Sequence, residues 1–429
     1  MPVARVIVAL MLAVAAPAAA GPAADEPEAP AATGQFADGA RWAATVPPNW
    51  NGTLLLWSHG YARTMPEPED APRQHRATLL ASGYALAGST YADAGWALNS
   101  AAPDQLATIT AFTTRYGKPK RVIAWGMSMG GLVTSALAEH VPARVDGALA
   151  MCGSIGGAVG MMNMALDGAY AFRTLVAPDA GIELTHVTDD MANARRVMDA
   201  LRTAQATPEG RARVALAAVL AGLPGWTTPG DSPPSADDYA GQEAQMAKTF
   251  AMGVFLPRGD QEHRAGGAFS WNTGIDYRRQ LALSGRETMI RALYRQAGLD
   301  LDADLARLDA GKRVTADRSA VAYMVANYTP NAKPVMPLLG VQNIGDGLTS
   351  PSLQRAYAEA AAHRVPGRVQ ALWVAGAGHC TFGTDIVLAS LHQLEARLDR
   401  GRWPERPANF IAYTPPPMLR PCVRGRACR

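Results

Sequence analysis

The chain has 429 residues, of which 48% are hydrophobic and 18% are charged, and its formal net charge is +3. This length exceeds what one ordinary hydrophobic core needs, and the near balance of charge, with no basic run, excludes a typical nucleic-acid-binding protein. Four cysteines suit an oxidising compartment. Cys422 and Cys428 stand close together in the tail, which leaves Cys152 and Cys380 as the other natural pair, although four cysteines allow three pairings.

Residues 1–20 have the pattern of a secretory signal peptide. Arg5 precedes an apolar run at 6–16, and three alanines at 18–20 offer a cleavage site. The run is too short to span a bilayer, so we predict a secreted or periplasmic protein without a stable membrane anchor after cleavage. An uncleaved N-terminal anchor is the alternative. Residues 21–40 are predicted to form a flexible lead-in.

Strands and helices alternate over the next part of the chain, which we define as the first core segment, 41–153. Two strands, joined by a turn and predicted to form a hairpin, come first; helices and strands then follow in turn. This alternation predicts parallel β-α-β units and therefore a mostly parallel α/β sheet with helices on both faces. The predicted strands are 41–46, 53–58, 84–90, 121–125 and 145–151, and the predicted helices are 72–82, 104–116 and 130–140.

The alternation stops over residues 154–332, where the sequence predicts only helices and loops. It resumes over 333–401, the second core segment, and a proline- and arginine-rich tail occupies 402–429. A helical insertion within a strand–helix series predicts a cap domain over the carboxyl edge of the sheet, where open α/β folds bind their ligands.

The pentapeptide Gly126-Met-Ser-Met-Gly130 lies between a predicted strand and a predicted helix. This is the pattern of a nucleophile elbow, in which a sharp turn exposes a serine hydroxyl and small neighbours allow close backbone packing. Ser128 is therefore the candidate nucleophile. A glycine-rich turn with an unreactive serine is the plain alternative.

Two further candidates follow the strands of the second core segment. Asp346 lies just beyond one apolar strand and His379 just beyond the next. In a parallel sheet both would emerge at the same edge as Ser128, in the chain order nucleophile, acid, base. We predict that His379 is the general base and that Asp346 orients it. Taken singly, Asp346 could be a turn former and His379 a loop residue.

An oxyanion hole needs two backbone N–H donors. We predict that Met129, directly after the candidate nucleophile, supplies one and that Tyr61, after the glycine of Ser58-His59-Gly60-Tyr61, supplies the other. His59 is an alternative base, but its place in this loop favours His379.

The chain resembles the α/β-hydrolase superfamily, and specifically its secreted, capped serine hydrolases, over residues 40–153 and 333–400. The resemblance rests on the four motifs just given. Tyr61 with Ser128–Gly131 is similar to the oxyanion arrangement of cutinase-like polyester hydrolases, which lack a cap. Cys380 directly after His379 is similar to the His-Cys pair of tannases and feruloyl esterases, in which a disulfide ties the nucleophile and histidine loops together. Met127 stands where that family has its other cysteine, and Cys152 could substitute structurally.

The function predicted from these features is hydrolysis of carboxylic esters, small or polymeric, through an acyl-enzyme. Trp96, Met161 and Met164 are candidate substrate contacts, with ordinary core packing as the alternative. Metal and organic cofactors are not predicted, and the oligomeric state is left open. A peptidase or amidase on the same triad is the nearest rival. An exopeptidase would need acidic groups in the insertion, for which the candidates are Glu183, Asp189, Asp190, Glu243 and Glu262. A non-catalytic binding protein on a hydrolase fold is the alternative of another class.

Overall fold

The computed structural model describes residues 32–141, 144–255 and 258–423. The predicted signal peptide and most of the predicted lead-in lie outside these ranges. Within them, one sheet contains eight strands. The strands are β1 (Ala32–Gln35), β2 (Arg41–Thr45), β3 (Thr53–Ser58), β4 (Ala85–Ser89), β5 (Arg121–Met127), β6 (Gly147–Met151), β7 (Leu338–Gly345) and β8 (Val369–Ala377).

Fourteen helices accompany the sheet in the described ranges, and none of them is long and apolar enough to cross a membrane. They are α1 (Arg73–Ala81), α2 (Leu98–Tyr116), α3 (Met129–His140), α4 (Ala158–Leu175), α5 (Asp190–Gln205), α6 (Pro208–Leu220), α7 (Tyr239–Val254), α8 (Arg258–Ala265), α9 (Tyr277–Leu283), α10 (Glu287–Gln296), α11 (Leu301–Ala310), α12 (Arg318–Ala326), α13 (Pro351–Arg364) and α14 (Thr384–Arg400).

The strand order is β1-β2-β4-β3-β5-β6-β7-β8. Neighbouring strands pair in parallel across one part of the sheet, which consists of β4, β3, β5, β6, β7 and β8. At the other edge β1 pairs antiparallel with β2, and β2 pairs antiparallel with β4. Strands β3 to β6 are mainly apolar and are buried at every residue except Arg121, the first of β5, as expected for parallel strands covered by helices on both faces. The predicted α/β fold with a mostly parallel sheet is confirmed.

Two details of the N-terminal edge were predicted wrongly. Strand β2 pairs with β1 and β4, not with β3, so the predicted hairpin between β2 and β3 does not form. The end of the predicted lead-in is strand β1, which pairs with β2. Both errors have one cause: the pairing of these strands depends on neighbours that the whole fold supplies, and local sequence does not show them.

All the described elements between β6 and β7 are helices, in agreement with the predicted helical insertion. They enclose a second apolar core of their own, built mainly from α4, α6, α7, α10 and α11. Local sequence supports these helices: aspartate or threonine side chains cap the N-termini of α5, α6, α7, α9 and α11. The insertion is thus a compact helical unit with its own hydrophobic interior.

The tail crosses the junction between the insertion and the sheet-based core. Ile411 forms an isolated antiparallel bridge with Trp373 of β8. Farther along, Arg420 Nη1 lies 2.8 Å from Asp167 Oδ2 of α4, and both side chains are buried. Burial raises the pKa of Asp167 to about 6, against the opposing effect of Arg420. The tail therefore holds the insertion through a buried ion pair.

Replacing Arg420 with methionine should destabilise the fold, because breaking a buried ion pair costs about 3–5 kcal/mol. The loss of folding free energy should be largest above pH 6 and smaller at pH 5. A native carboxyl with a raised pKa takes up a proton as the pH falls, whereas the unfolded chain does so only at lower pH. Urea unfolding at both pH values measures this. Adding Asp167→Asn to the Arg420→Met variant should restore most of the lost stability. Arg402→Met, in the exposed start of the tail, should change the stability little.

Candidate active site

Ser128 occupies a strained turn between β5 and α3. Its backbone has φ 59° and ψ −124°, in the left-handed region that residues with side chains rarely adopt. The flanking glycines make the turn possible. A Cβ atom on Gly130 would lie 1.9 Å from the Ser58 carbonyl oxygen, and one on Gly126 would lie 2.4 Å from the Gly130 carbonyl oxygen. The turn exposes the Ser128 hydroxyl at the carboxyl edge of the sheet.

The structure brings Ser128, His379 and Asp346 together. His379 Nε2 lies 2.8 Å from Ser128 Oγ, and His379 Nδ1 lies 2.9 Å from Asp346 Oδ2. Asp346 is fully buried, whereas the His379 side chain is 21% exposed. A serine oxygen, an imidazole and a carboxylate in this order can pass a proton from the hydroxyl to the ring while the carboxylate fixes the ring tautomer.

Asp346 is fixed by its own loop. Its Oδ1 accepts hydrogen bonds from the backbone N–H groups of Leu348 and Thr349, at 2.9 and 3.0 Å. Its Oδ2 accepts from Gln342 Nε2 at 3.1 Å. These donors leave the position of the carboxylate little freedom.

Thr349 was missed by the sequence analysis. Its hydroxyl lies 3.0 Å from Asp346 Oδ2, 3.3 Å from His379 Nδ1 and 2.8 Å from the carbonyl oxygen of Cys152. The available signal was the local pattern Asp346-Gly-Leu-Thr-Ser350, because a threonine three residues after an aspartate can close a turn onto it. Thr349 thus joins the acid, the imidazole and the end of β6.

The predicted oxyanion residues lie on both sides of Ser128. Met129 follows it at the start of α3. A Cβ atom built on Gly60 would lie 3.3 Å from Ser128 Cβ and 3.8 Å from Ser128 Oγ, so the segment leading to Tyr61 packs against the serine. The two N–H groups chosen from sequence therefore belong to segments that border the candidate nucleophile.

His59 does not share this site as a base. Its Nδ1 lies 2.6 Å from the Gly60 carbonyl oxygen, its Nε2 lies 3.1 Å from the Thr90 carbonyl oxygen, and its ring stacks on Tyr91. Burial lowers the pKa of His59. Because both ring nitrogens face backbone carbonyls, neither is directed at Ser128.

Three features decide the fold. They are the strand order, a serine in a strained turn after β5, and an aspartate and a histidine that follow β7 and β8. The chain has an α/β-hydrolase fold. In this hydrolase fold the helical insertion follows β6, on the carboxyl side of the sheet.

The chain is similar in sequence to known proteins. The model of a tannase-like family of unknown function (DUF6351) matches residues 29–174, about a third of the chain. An o-phthalyl amidase from Xanthobacter agilis is 28% identical over 406 residues, covering 86% of this chain and 88% of that protein.

Solved structures similar to this chain include two from Aspergillus oryzae. Feruloyl esterase B has a TM-score of 0.43 and 14% identity over 87% of this chain and 80% of its own. An esterase has a TM-score of 0.42 and 13% identity over 88% of this chain and 81% of its own.

A disulfide joins Cys152 to Cys380, as predicted, with Cα atoms 5.3 Å apart. It ties the end of β6 to the residue directly after His379. Both cysteines have positive φ angles, 42° and 57°, so each stands in a sharp turn. Cys428 lies outside the described residues, and its pairing with Cys422 stays a prediction.

The three candidate substrate contacts lie in the interior. Trp96 is 5% exposed, and its backbone N–H donates to Asp260 of α8 at 2.8 Å. Met161 and Met164 are 7% and 2% exposed and line a cavity of about 10 Å³ beside the loop that carries Asp346. The described contacts bring none of these side chains to Ser128, and their role in substrate binding stays a prediction.

The acidic groups considered for an exopeptidase do not converge on a free site. Each accepts hydrogen bonds from neighbouring protein groups, which gives it a structural role; they are Glu183, Asp189, Asp190, Glu243 and Glu262. Nor do three or more histidine, cysteine or carboxylate side chains gather in a possible metal site within the described part of the chain.

Replacing Cys152 and Cys380 together with alanine should lower the free energy of unfolding by about 2–5 kcal/mol, because the bridge restricts the unfolded chain over a separation of 228 residues. Urea unfolding without reductant compares the variant with the wild type. Peptide mapping of the non-reduced wild type should find the two cysteines in one cross-linked pair. Equal stability of the two proteins would contradict a stabilising role.

Proposed function

We propose that this protein is a secreted serine hydrolase that cleaves carboxylic esters through an acyl-enzyme. The observation that carries the proposal is the hydrogen-bonded series from Ser128 Oγ to His379 Nε2, at 2.8 Å, and from His379 Nδ1 to Asp346, at 2.9 Å. A neutral serine hydroxyl is a weak nucleophile and needs such a base. The proposal is supported by the position of these residues after the carboxyl ends of β5, β7 and β8, because open α/β folds bind their substrates at that edge.

The reaction follows from the positions of the protons. His379 takes the hydroxyl proton as Ser128 Oγ attacks the carbonyl carbon, and then gives it to the leaving alcohol when the tetrahedral intermediate collapses. Water repeats the sequence on the acyl-enzyme. Asp346, which N–H and hydroxyl donors of its own loop hold in place, stabilises the imidazolium that forms.

The backbone N–H groups of Met129 and Tyr61 would hold the negative oxygen of the tetrahedral intermediate. Met129 begins α3, whose N-terminal end favours negative charge, and Gly60 packs against Ser128 just before Tyr61. Donors on rigid elements need no rearrangement as the charge develops, which is the source of their catalytic effect.

Amide hydrolysis is the second candidate, and the similarity to an o-phthalyl amidase over 86% of the chain supports it. The same triad can perform both reactions. They differ in the leaving group, because an amine must receive its proton from His379 before the C–N bond can break, whereas an alcohol is a better leaving group. The tannase-like family model supports the ester assignment.

Secretion is part of the proposal. Its support is the signal-peptide pattern over residues 1–20 together with a disulfide, a bond that persists in oxidising compartments. The expected binding partner of the protein is an ester substrate, small or polymeric. N-terminal sequencing of the protein exported by cells is the direct measurement, and an intact Met1 would contradict cleavage.

Ser128→Ala should lower kcat on p-nitrophenyl acyl esters by about six orders of magnitude while leaving the urea unfolding curve unchanged. Labelling by a fluorophosphonate probe should be lost as well. Ser135→Ala is the matched control, because that serine lies on α3, the helix that follows Ser128, and its hydroxyl donates to the Leu132 carbonyl oxygen. Near-normal esterase activity in the Ser128 variant would reject the assigned nucleophile.

Matched acyl esters and acyl anilides with the same acyl group separate the two candidate activities. We expect a higher kcat/KM on the esters. Turnover of the anilides alone, lost in Ser128→Ala, would make amide hydrolysis the function and leave the triad assignment intact.

Thr349→Val should reduce kcat about tenfold to a hundredfold with little change in KM, since the hydroxyl positions Asp346 and His379 rather than the substrate. Thr349→Ser keeps the hydroxyl and should recover most of the rate. If Thr349→Val and Thr349→Ser lower kcat equally, the hydroxyl has no positioning role. Unfolding curves of both variants establish that the fold is retained.

A further inference from the structure

The peptide unit between Gly60 and Tyr61 carries the N–H group that we assign as the second oxyanion donor. Among the described residues, none provides an acceptor for the Tyr61 N–H. The other end of the same peptide unit is engaged, because the Gly60 carbonyl oxygen lies 2.6 Å from His59 Nδ1. The His59 side chain thus holds this unit by its oxygen and leaves its N–H group available.

The geometry of this peptide bond makes the contact directional. The bond is trans, and in a trans peptide the C=O and N–H groups point in opposite directions. A Gly60 carbonyl that faces the imidazole therefore turns the Tyr61 N–H away from the ring. Gly60 itself packs against the candidate nucleophile, since a Cβ atom built on it would lie 3.3 Å from Ser128 Cβ. The available N–H group accordingly belongs to the segment that borders Ser128.

The imidazole of His59 is held by the loop that follows β4. Its Nε2 lies 3.1 Å from the Thr90 carbonyl oxygen, and its ring stacks on Tyr91 with centroids 4.1 Å apart and planes 20° apart. Tyr91 is fully buried, and its hydroxyl donates to the His59 carbonyl oxygen at 3.1 Å. The loop after β4 thus fixes both the side chain and the backbone of His59.

A neutral imidazole can donate in only one of its two contacts, because it has one N–H group and both partners are carbonyl oxygens. Burial lowers the pKa of His59, which favours the neutral ring. The contact of Nδ1 is the shorter of the two, at 2.6 Å against 3.1 Å, and favours the tautomer with its proton on Nδ1. The hydrogen bond that His59 donates is then the one to Gly60.

We propose that His59 is a positioning residue for acyl transfer, whose Nδ1–H group holds the Gly60–Tyr61 peptide so that the Tyr61 N–H is directed at the oxyanion. The inference rests on the proposed reaction at Ser128. A donor that is fixed before the charge develops needs no reorganisation during the reaction. The hydrogen bond to the carbonyl oxygen also polarises the peptide, which strengthens its N–H group as a donor.

Two replacements separate the donor from the stacked ring. His59→Phe keeps a ring against Tyr91 but has no donor, and it should lower kcat on p-nitrophenyl acyl esters about tenfold to a hundredfold with little change in KM, because the oxyanion exists only after attack. His59→Asn lacks the ring, but its amide nitrogen can take the place of Nδ1, so it should keep most of the wild-type kcat.

A role limited to packing predicts the reverse order, with the phenylalanine variant more active than the asparagine variant, and that order would overturn the proposal. Urea unfolding curves establish that each variant folds. If His59→Phe does not fold, His59→Gln replaces it in the comparison, because the glutamine amide extends to the position of Nε2, beside Thr90. His392→Phe, at an exposed position of α14, is the matched control and should have the wild-type kcat.

Thionoesters with the same acyl and leaving groups test the contact with the oxyanion itself, because sulfur is a weaker hydrogen-bond acceptor than oxygen. His59→Phe should lower kcat/KM on the oxygen esters more than on the thionoesters, so that the ratio of the two falls about tenfold. An equal loss on both kinds of ester would overturn the positioning role.

Ser128→Ala, measured beside these variants, distinguishes this inference from the function on which it rests. An inactive Ser128→Ala together with a wild-type kcat in His59→Phe would overturn the role of His59 and leave the proposed function standing. Full esterase activity in Ser128→Ala would overturn both.

Discussion

Parallel register through the middle of the sheet is the constraint on which the candidate site depends. Ser58 pairs with Gly126, and Met127 pairs with Met151, so β3, β5 and β6 end at nearly the same level. The chain can then turn after each strand and bring residues that are far apart in sequence to one edge. The close contact of Gly130 with the Ser58 carbonyl adds to this, because it fixes the serine turn against the loop that precedes Tyr61.

The three loops that meet at this edge form one network rather than three separate supports. Thr349 contacts Asp346, His379 and the Cys152 carbonyl oxygen, and Cys152 is bonded in turn to Cys380 beside His379. Hydrogen bonds and a covalent bond therefore constrain the same few atoms. Such redundancy limits the freedom of the imidazole, and positioning of this kind is a large part of what an enzyme contributes to acyl transfer.

Much of this could be predicted from sequence because it follows local pattern. Alternation of strands and helices indicated the α/β sheet, and polar residues placed after apolar strands indicated that Ser128, Asp346 and His379 would meet. Thr349 was missed because its role depends on side-chain contacts across loops. For Trp96 and Met161 the sequence left substrate contact and core packing both open, because an apolar residue in a core and one in a pocket look alike in sequence. Strand β1 was missed because only its pairing with β2 defines it.

The disulfide between Cys152 and Cys380 has a topological consequence beyond its place beside His379. Its two ends lie 228 residues apart, and the covalent loop that it closes contains the whole helical insertion together with β7, α13 and β8. A protease that cut this loop once would leave the two chain fragments linked through the bridge. Under oxidising conditions, the nucleophile and the histidine loop would remain on one molecule after such a cut, and only reduction would release them.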